Sequence, residues 1–202
     1  MNPSVLLQTV LNFACIGLLT LFFFRRDFSV NLRWWSTALP HAGAPLVLVA
    51  AYLAGLAPLA PASWGTPLAL AAVVLNVASL ALMFFAWGTH RVPLAHFHQP
   101  DDAPAHVVTY GAYRRIRHPF YTSYLLLYLA AALLFPHWVT LALLGYMVVI
   151  LNRTAAGEER RLAASEFGTE YRAYMARTGR FVPRLGAAPT PLGEPAPAAE
   201  SR

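Results

Sequence analysis

From Trp34 to His90 the chain runs 57 consecutive residues without an Asp, Glu, Lys or Arg. Soluble domains carry a charge at about every fourth position, so a run of this length belongs in a bilayer. Crossing roughly 30 Å of hydrocarbon takes about 20 helical residues at about 1.5 Å each. The run therefore holds two spans, divided at "GLAPLAPASWGTP", where Pro58, Pro61, Gly65 and Pro67 supply the turn. Residues 5–24 form an earlier apolar span, and 34 further uncharged residues run from Pro119 to Asn152, broken at "FPHW". That last stretch is barely two spans. It reads as a tight hairpin of two short arms, with Arg117 and Arg153 reaching to the interface. The expected class is all-α: an integral membrane helical bundle of about five transmembrane helices, including a short C-terminal helical hairpin, plus a cytoplasmic amphipathic helix.

Five spans make the charge distribution interpretable. All 15 basic residues are arginines, and they fall in three segments: Arg25 to Arg33, Arg91 to Arg117, and Arg153 onward. These follow spans one, three and five, and so share one side of the bilayer. By the positive-inside rule that side is cytoplasmic. The net charge of +6 is thereby an orientation signal. No basic stripe with interleaved stacking aromatics is present, so no nucleic-acid partner is expected.

Cys15 is the single cysteine and lies inside the first span, so no disulfide framework exists within the chain. Residues 5–24 lack a preceding basic segment and read as a retained span rather than a secretory signal. Residues 153 to about 178 read as one amphipathic helix, with Leu162, Phe167, Tyr171, Tyr174 and Met175 opposite Arg160, Glu170 and Arg177. After Leu185, "GAAPTPLGEPAPAAESR" has four prolines and no aromatic residue, a composition expected to be a disordered tail. The chain thus divides into three N-terminal transmembrane helices (1–87), a core carrying the chemistry (88–185) and a tail (186–202).

Three stretches could carry chemistry. In "GAYRRIRHPFYTSYLLLYLA", residues 111–130, Arg114, Arg115 and Arg117 suit a cytoplasmic rim, but His118 and Pro119 at the helix start need another explanation. Proline fits the first turn of a helix, and the exposed N–H groups beyond it favour an anionic group. Tyr121, Tyr124 and Tyr128 follow on one face, as a ligand-facing row or as an interfacial belt. In "NRTAAGEERRLAASEFGTEYRAY", Glu158 and Glu159 point about 100° apart on a helix. One of them pairs with Arg160 or Arg161 at the surface, and the other faces a pocket able to hold an ammonium group. Third, "THRVPLAHFHQPDD" offers His90, His96, His98, Asp101 and Asp102. Their spacing fixes no ligand geometry, and no metal is expected. Phosphate loops, nucleophile elbows and His-Glu-x-x-His are absent, which leaves hydrolase and nucleoside-triphosphatase readings without residues.

"GAYRRIRHPFYTSYL" followed about 40 residues later by "EERRLAASEFGTEYRAYMARTGRFVP" resembles the Arg-His-Pro-x-Tyr-x-Gly and Glu-Glu signatures of the isoprenylcysteine carboxyl methyltransferases, a family itself similar to the phospholipid N-methyltransferases. The resemblance covers residues 88–185. It implies an integral membrane enzyme that binds S-adenosylmethionine from the cytoplasmic side while a lipophilic or lipidated substrate arrives from the bilayer. Tyr113, His118, Pro119, Tyr121, Glu158 and Glu159 fall on the family's cofactor positions, and the adjoining Tyr110, Gly111 and Arg117 join them. Arg153 falls where the family has an arginine that handles substrate. Ser123 replaces the motif's final glycine and narrows the approach of a cofactor to the helix; Ala112 stands where many members have proline.

The acceptor is open at this level: a prenylated cysteine carboxylate, a phospholipid amine or a small thiol would each suit an apolar pocket. A carboxylate or thiolate needs no base, whereas an amine must lose a proton, and no base stands out in the sequence. The rival of another class is a sterol-reductase-like enzyme, whose NADPH phosphate would call on Arg114, Arg115 and Arg117. The use of arginine without lysine, with many alanines, suggests a GC-rich bacterial source and so the bacterial inner membrane.

Overall fold

The computed structural model describes residues 1–19, 24, 27–89 and 107–185. The His90–Asp102 constellation and the 186–202 tail lie outside them. The described residues are all-α, with six α-helices, short 3-10 turns and isolated bridges in place of strands. They are α1 (Pro3–Leu19), α2 (Trp35–Leu53), α3 (Gly65–Thr89), α4 (Pro119–Leu134), α5 (Trp138–Ala163) and α6 (Gly168–Arg177). α2, α5 and α3 with its preceding turn are long and apolar enough to cross a membrane, while α1 and α4 are shorter apolar helices. The protein is a membrane protein.

The bundle interleaves small residues with bulky ones such as Phe13, Ile16, Leu48, Tyr128 and Phe135. α3 buries Ala72, Asn76, Ser79, Met83 and Ala86, a stripe of alternating four- and three-residue steps. α4 buries Ser123, Leu127, Ala130, Ala131 and Leu134. With lipid outside, apolar burial does not drive helices together, so close backbone approach and interhelical hydrogen bonds must. The Ser79 hydroxyl donates to the Ser123 carbonyl at 2.7 Å, and Asn76 donates to Thr9 Oγ1 at 2.9 Å. His41 Nε2 lies 2.9 Å from the Phe13 carbonyl, which can only accept, so this nitrogen carries the proton. Ser123 is fully buried beside α3, with its hydroxyl on the Phe120 carbonyl. The residue replacing the motif glycine thus meets Ser79 and Met83.

Two sequence expectations change. The hairpin is asymmetric: α4 has 16 residues, about 24 Å, but α5 has 26, about 39 Å. Its last turns rise past the apolar zone and carry Glu158 and Glu159 above it. The single amphipathic helix expected over 153–178 is instead the end of α5 and a separate α6. Ser165 breaks it: its hydroxyl donates to the Leu162 carbonyl and accepts from the Phe167 N–H, a local alternative to the helical ladder. Gly168 then packs directly against the Ala163 carbonyl, where a Cβ would collide.

Candidate functional site

The site forms where four pieces of chain meet: the turn at 110–118, the start of α4, the end of α5, and α6 with the segment after it. A short 3-10 turn, Gly111–Arg114, leads in. Gly111 has φ +57°, and a Cβ there would strike the Thr89 side chain at the end of α3. Thr89 Oγ1 also accepts from the Ala112 N–H at 3.1 Å, so the turn is bolted to α3. Tyr110 caps this turn, and its carbonyl accepts from the Tyr113 N–H. Pro119 occupies the first turn of α4 with His118 as its cap residue, as the sequence led us to expect.

The segment after α6 lies alongside the turn. Gly179 N–H donates to the Arg115 carbonyl (3.1 Å), Arg117 N–H to Gly179 (2.9 Å) and His118 N–H to Arg180 (3.1 Å), a parallel pairing of two loops about 60 residues apart in sequence. The Thr122 hydroxyl donates to the Phe181 carbonyl (3.0 Å) and the Tyr174 hydroxyl to the Tyr113 carbonyl (2.7 Å). We refer to residues 178–181 as the strap.

Beneath it lies a cluster of charges. Glu159, on α5, receives Arg117 Nε at 2.8 Å and Arg180 Nη2 at 2.5 Å, and its side chain is only 7% exposed. The sequence expectation of surface pairing with Arg160 or Arg161 is not what Glu159 does. Arg117 also donates to the carbonyls of Met175 and Thr178, tying α6 to the cluster. Arg180 donates to Asn152 Oδ1 at 2.6 Å, about two turns before Glu159 on the same face of α5. The hydrogen bonds from Arg180 to Glu159 hold its guanidinium protonated even more firmly than usual.

His118 sits between the two carboxylates. Its Nε2 is 3.3 Å from Glu159 Oε1, off the hydrogen-bonding line, and its Nδ1 is 3.7 Å from Glu158 Oε2. The Tyr121 hydroxyl donates to Glu158 Oε1 at 2.8 Å, and the Tyr121 ring stacks on the imidazole with planes 2° apart. The 100° between neighbouring carboxylates is thus bridged by one imidazole. Tyr113 stands nearby, its phenol pushed up by burial, then by Tyr174 and Glu158, so that it stays a neutral donor.

The structure therefore brings together Tyr113, Arg117, His118, Pro119, Tyr121, Glu158 and Glu159, with Tyr110 and Gly111 shaping the turn. Arg153 is exposed on α5, and none of the hydrogen bonds or ion pairs of the cluster involves it. Tyr124 and Tyr128 point deeper, against His41 and Phe13 in the core. Arg180, Asn152 and Gly179 escaped the sequence reading. The available signal was "RTGRFVP", a glycine and an arginine just past the last amphipathic turn. No group of His, Cys, Asp and Glu able to hold a metal occurs among the described residues.

No curated protein and no solved structure matches the chain. Residues 63–170, more than half of it, match the family model described as phospholipid methyltransferase. That stretch runs from the turn before α3 through the Arg-His-Pro block and the Glu158–Glu159 pair to the start of α6, so the chain belongs to the phospholipid methyltransferase family, within the membrane methyltransferase group that also holds the isoprenylcysteine carboxyl methyltransferases.

Proposed function

We propose that the protein transfers a methyl group from S-adenosylmethionine to a lipophilic acceptor, with residues 88–185 as the working core on the scaffold of residues 1–87. The supporting observation is the pair Glu158 and Glu159 wrapped around His118 at the entrance of α4. The donor set suits such a cofactor, which carries an ammonium, a sulfonium, a carboxylate and an adenine ring. Both oxygens of Glu159 are spent on Arg117 and Arg180, so Glu159 and Arg117 give the pocket its shape. Glu158, 23% exposed with one oxygen on Tyr121, is the carboxylate offered to the cationic part. His118 and the first N–H groups of α4 face the carboxylate end, and Tyr110, Gly111, Tyr113, Pro119 and Tyr121 form the walls. When bound, the cofactor supplies an electrophilic methyl group, and this chain supplies alignment and a dry site. Arg153, outside the cluster, handles the acceptor. An NADPH reading would call on Arg114, Arg115 and Arg117 for the phosphate, and of these Arg117 is already committed to Glu159 and the Met175 carbonyl.

We assign the arginine face to the cytoplasm of a bacterial inner membrane, in keeping with the positive-inside bias. Calorimetry on the detergent-purified protein is expected to show binding of S-adenosylhomocysteine and none of NADPH; the reverse would overturn the assignment. His118→Ala and Glu158→Ala are each expected to weaken S-adenosylhomocysteine at least tenfold, about 1.4 kcal/mol, while His98→Ala changes little. Equal small effects for all three would remove the site. Arg153→Ala is expected to depress turnover more than cofactor affinity, and a matching loss of both would move Arg153 into the cofactor pocket.

A further inference from the structure

We infer that Arg160 and Arg161, together with the bare helix surface at Gly157, form a docking site for the anionic head group of a phospholipid on the arginine side of the bilayer. The site lies on the outer face of α5, away from the cluster around His118, and does not depend on the methyltransferase reading. Two ordinary uses of arginine at the end of a helix are already filled. The carboxylates beside them look elsewhere, Glu159 to Arg117 and Arg180 and Glu158 to the Tyr121 hydroxyl. Among the described residues neither Arg160 nor Arg161 makes an ion pair, although Glu166 and Glu170 follow closely in the chain. The last four carbonyls of a helix also call for donors. Here the Ala164 N–H donates to those of Arg160 and Arg161, the Ser165 N–H to that of Leu162, and Arg172 Nη1 to that of Ala163 at 2.6 Å. Both guanidinium groups are left to solvent or to lipid.

Depth decides between the two. Trp138 opens α5 at the opposite interface and is exposed there. Arg160 and Arg161 follow it by 22 and 23 residues, about 33 to 35 Å of helix, or about 31 to 32 Å at a common tilt of about 20°. Hydrocarbon ends at roughly 30 Å and head groups fill about the next 5–7 Å, so both side chains leave the helix at phosphate height. Direction agrees with depth. Leu151, Ala155 and Glu159 form the buried face of α5, and at about 100° per residue Arg161 points about 200° away from Glu159, out of the bundle, with Arg160 on its flank.

Gly157 gives the site its floor. Arg153 lies four residues before it and Arg160 and Arg161 three and four after it, all near neighbours on a helix surface. Nothing lies within 4 Å of the Gly157 Cβ position, so a phosphate can approach the backbone with guanidinium groups on both sides. Their planar donors match phosphate oxygens. A zwitterionic lipid brings an ammonium that the same arginines repel, whereas an anionic lipid brings only charge that they attract. A soluble anion would meet the same charges, but the site opens sideways at the depth where lipid phosphates are concentrated. The occupant is therefore a phospholipid of net negative charge.

The test compares the association of spin-labelled phosphatidylglycerol and spin-labelled phosphatidylcholine with the full chain in dioleoylphosphatidylcholine nanodiscs. Wild-type protein is expected to prefer the glycerol lipid at least tenfold. An arginine beside an anionic leaflet is worth about fivefold in affinity, so Arg160→Gln with Arg161→Gln in one chain is expected to remove most of that preference. Gly157→Leu keeps every charge and meets no neighbour, and by covering the floor it is expected to lose about fivefold, the scale of one arginine contact. Arg177→Gln, exposed on α6, is the control for diffuse charge and is expected to change little. Unfolding midpoints in pure phosphatidylcholine discs should match wild type throughout, because neither Arg160 nor Arg161 holds a side-chain partner in the fold; if the double variant falls short there, Gly157→Leu carries the test alone. The site is overturned if wild-type protein shows no preference, if either variant at the site keeps the wild-type preference, or if Arg177→Gln loses as much as the double variant. Displacement of the spin-labelled lipid by millimolar inorganic phosphate would overturn the lipid as occupant in favour of a soluble anion.

Discussion

Arg117→Met is expected to destabilise the protein by about 3 kcal/mol, the larger of the two arginine losses at Glu159. Removing one member of a buried ion pair typically costs about 3–5 kcal/mol, because the partner is left without compensation. Two local facts act in opposite directions. Arg180 still reaches both oxygens of Glu159 after the change, which lowers the penalty. The carbonyls of Met175 and Thr178 lose their donor near the end of α6, which raises it. Arg180→Met is expected to cost only about 1 kcal/mol, because the Arg180 side chain is 30% exposed against 10% for Arg117 and exposed pairs contribute about 0–1 kcal/mol. Lysine at 117 keeps the charge but not the planar fork that serves a carboxylate and two carbonyls at once, so Arg117→Lys should recover less than half of the loss. Thermal unfolding in nanodiscs checks the order. For a chain of this size about 3 kcal/mol corresponds to roughly 6–12 °C, and an Arg117→Met midpoint within a degree of wild type would show that α6 and the cluster are held by something else.

The parts of the molecule that were legible in the sequence are those fixed by solvent or by one local bond pattern. The uncharged run from Trp34 to His90 gives α2 and α3 because hydrocarbon admits little else. "FPHW" gives the corner between α4 and α5, where the structure adds a reciprocal cap between His137 and Thr140. Pro119 marks the start of α4 because the missing N–H is harmless only there. Glu158 and Glu159 were visible as a pair, but their division of labour was not. Spacing along α5 nominates Arg160 and Arg161 as partners; the fold instead brings Arg117 from 42 residues before Glu159 and Arg180 from 21 residues after it. Which of several identical arginines reaches a carboxylate depends on loop closure, and nothing local in the sequence encodes it. The break in the last helix shows the same limit on a smaller scale. Apolar periodicity runs on through Phe167 and Tyr171, whereas the hydroxyl of Ser165 ends α5 by taking backbone partners of its own.

Gly179→Ala is expected to release the strap. The position needs glycine for space: a Cβ would overlap the Val182 carbonyl and crowd the Arg184 amide. Both obstacles are backbone, so no side chain can rotate away, and the chain itself must shift. The shift would break the Gly179–Arg115, Arg117–Gly179 and His118–Arg180 hydrogen bonds together, at about 0.5–1.5 kcal/mol each. The helices beneath share none of these bonds, so the loss stays local. Amide exchange at Arg117 and His118 should therefore accelerate about 100-fold, matching a local cost near 3 kcal/mol, while α3 and α4 amides keep wild-type protection. Arg180 leaves Glu159 when the strap lifts, and S-adenosylhomocysteine should bind at least tenfold more weakly. Gly145→Ala is the control: nothing lies within 4 Å of its Cβ position, and mid-helix alanine is worth up to about 1 kcal/mol over glycine. If Gly179→Ala leaves exchange at Arg117 and His118 unchanged, those amides owe their protection to α4 and the cluster instead of the strap. Faster exchange with undiminished ligand binding would separate the two roles, making the strap a fastening for α6 that the pocket does not depend on.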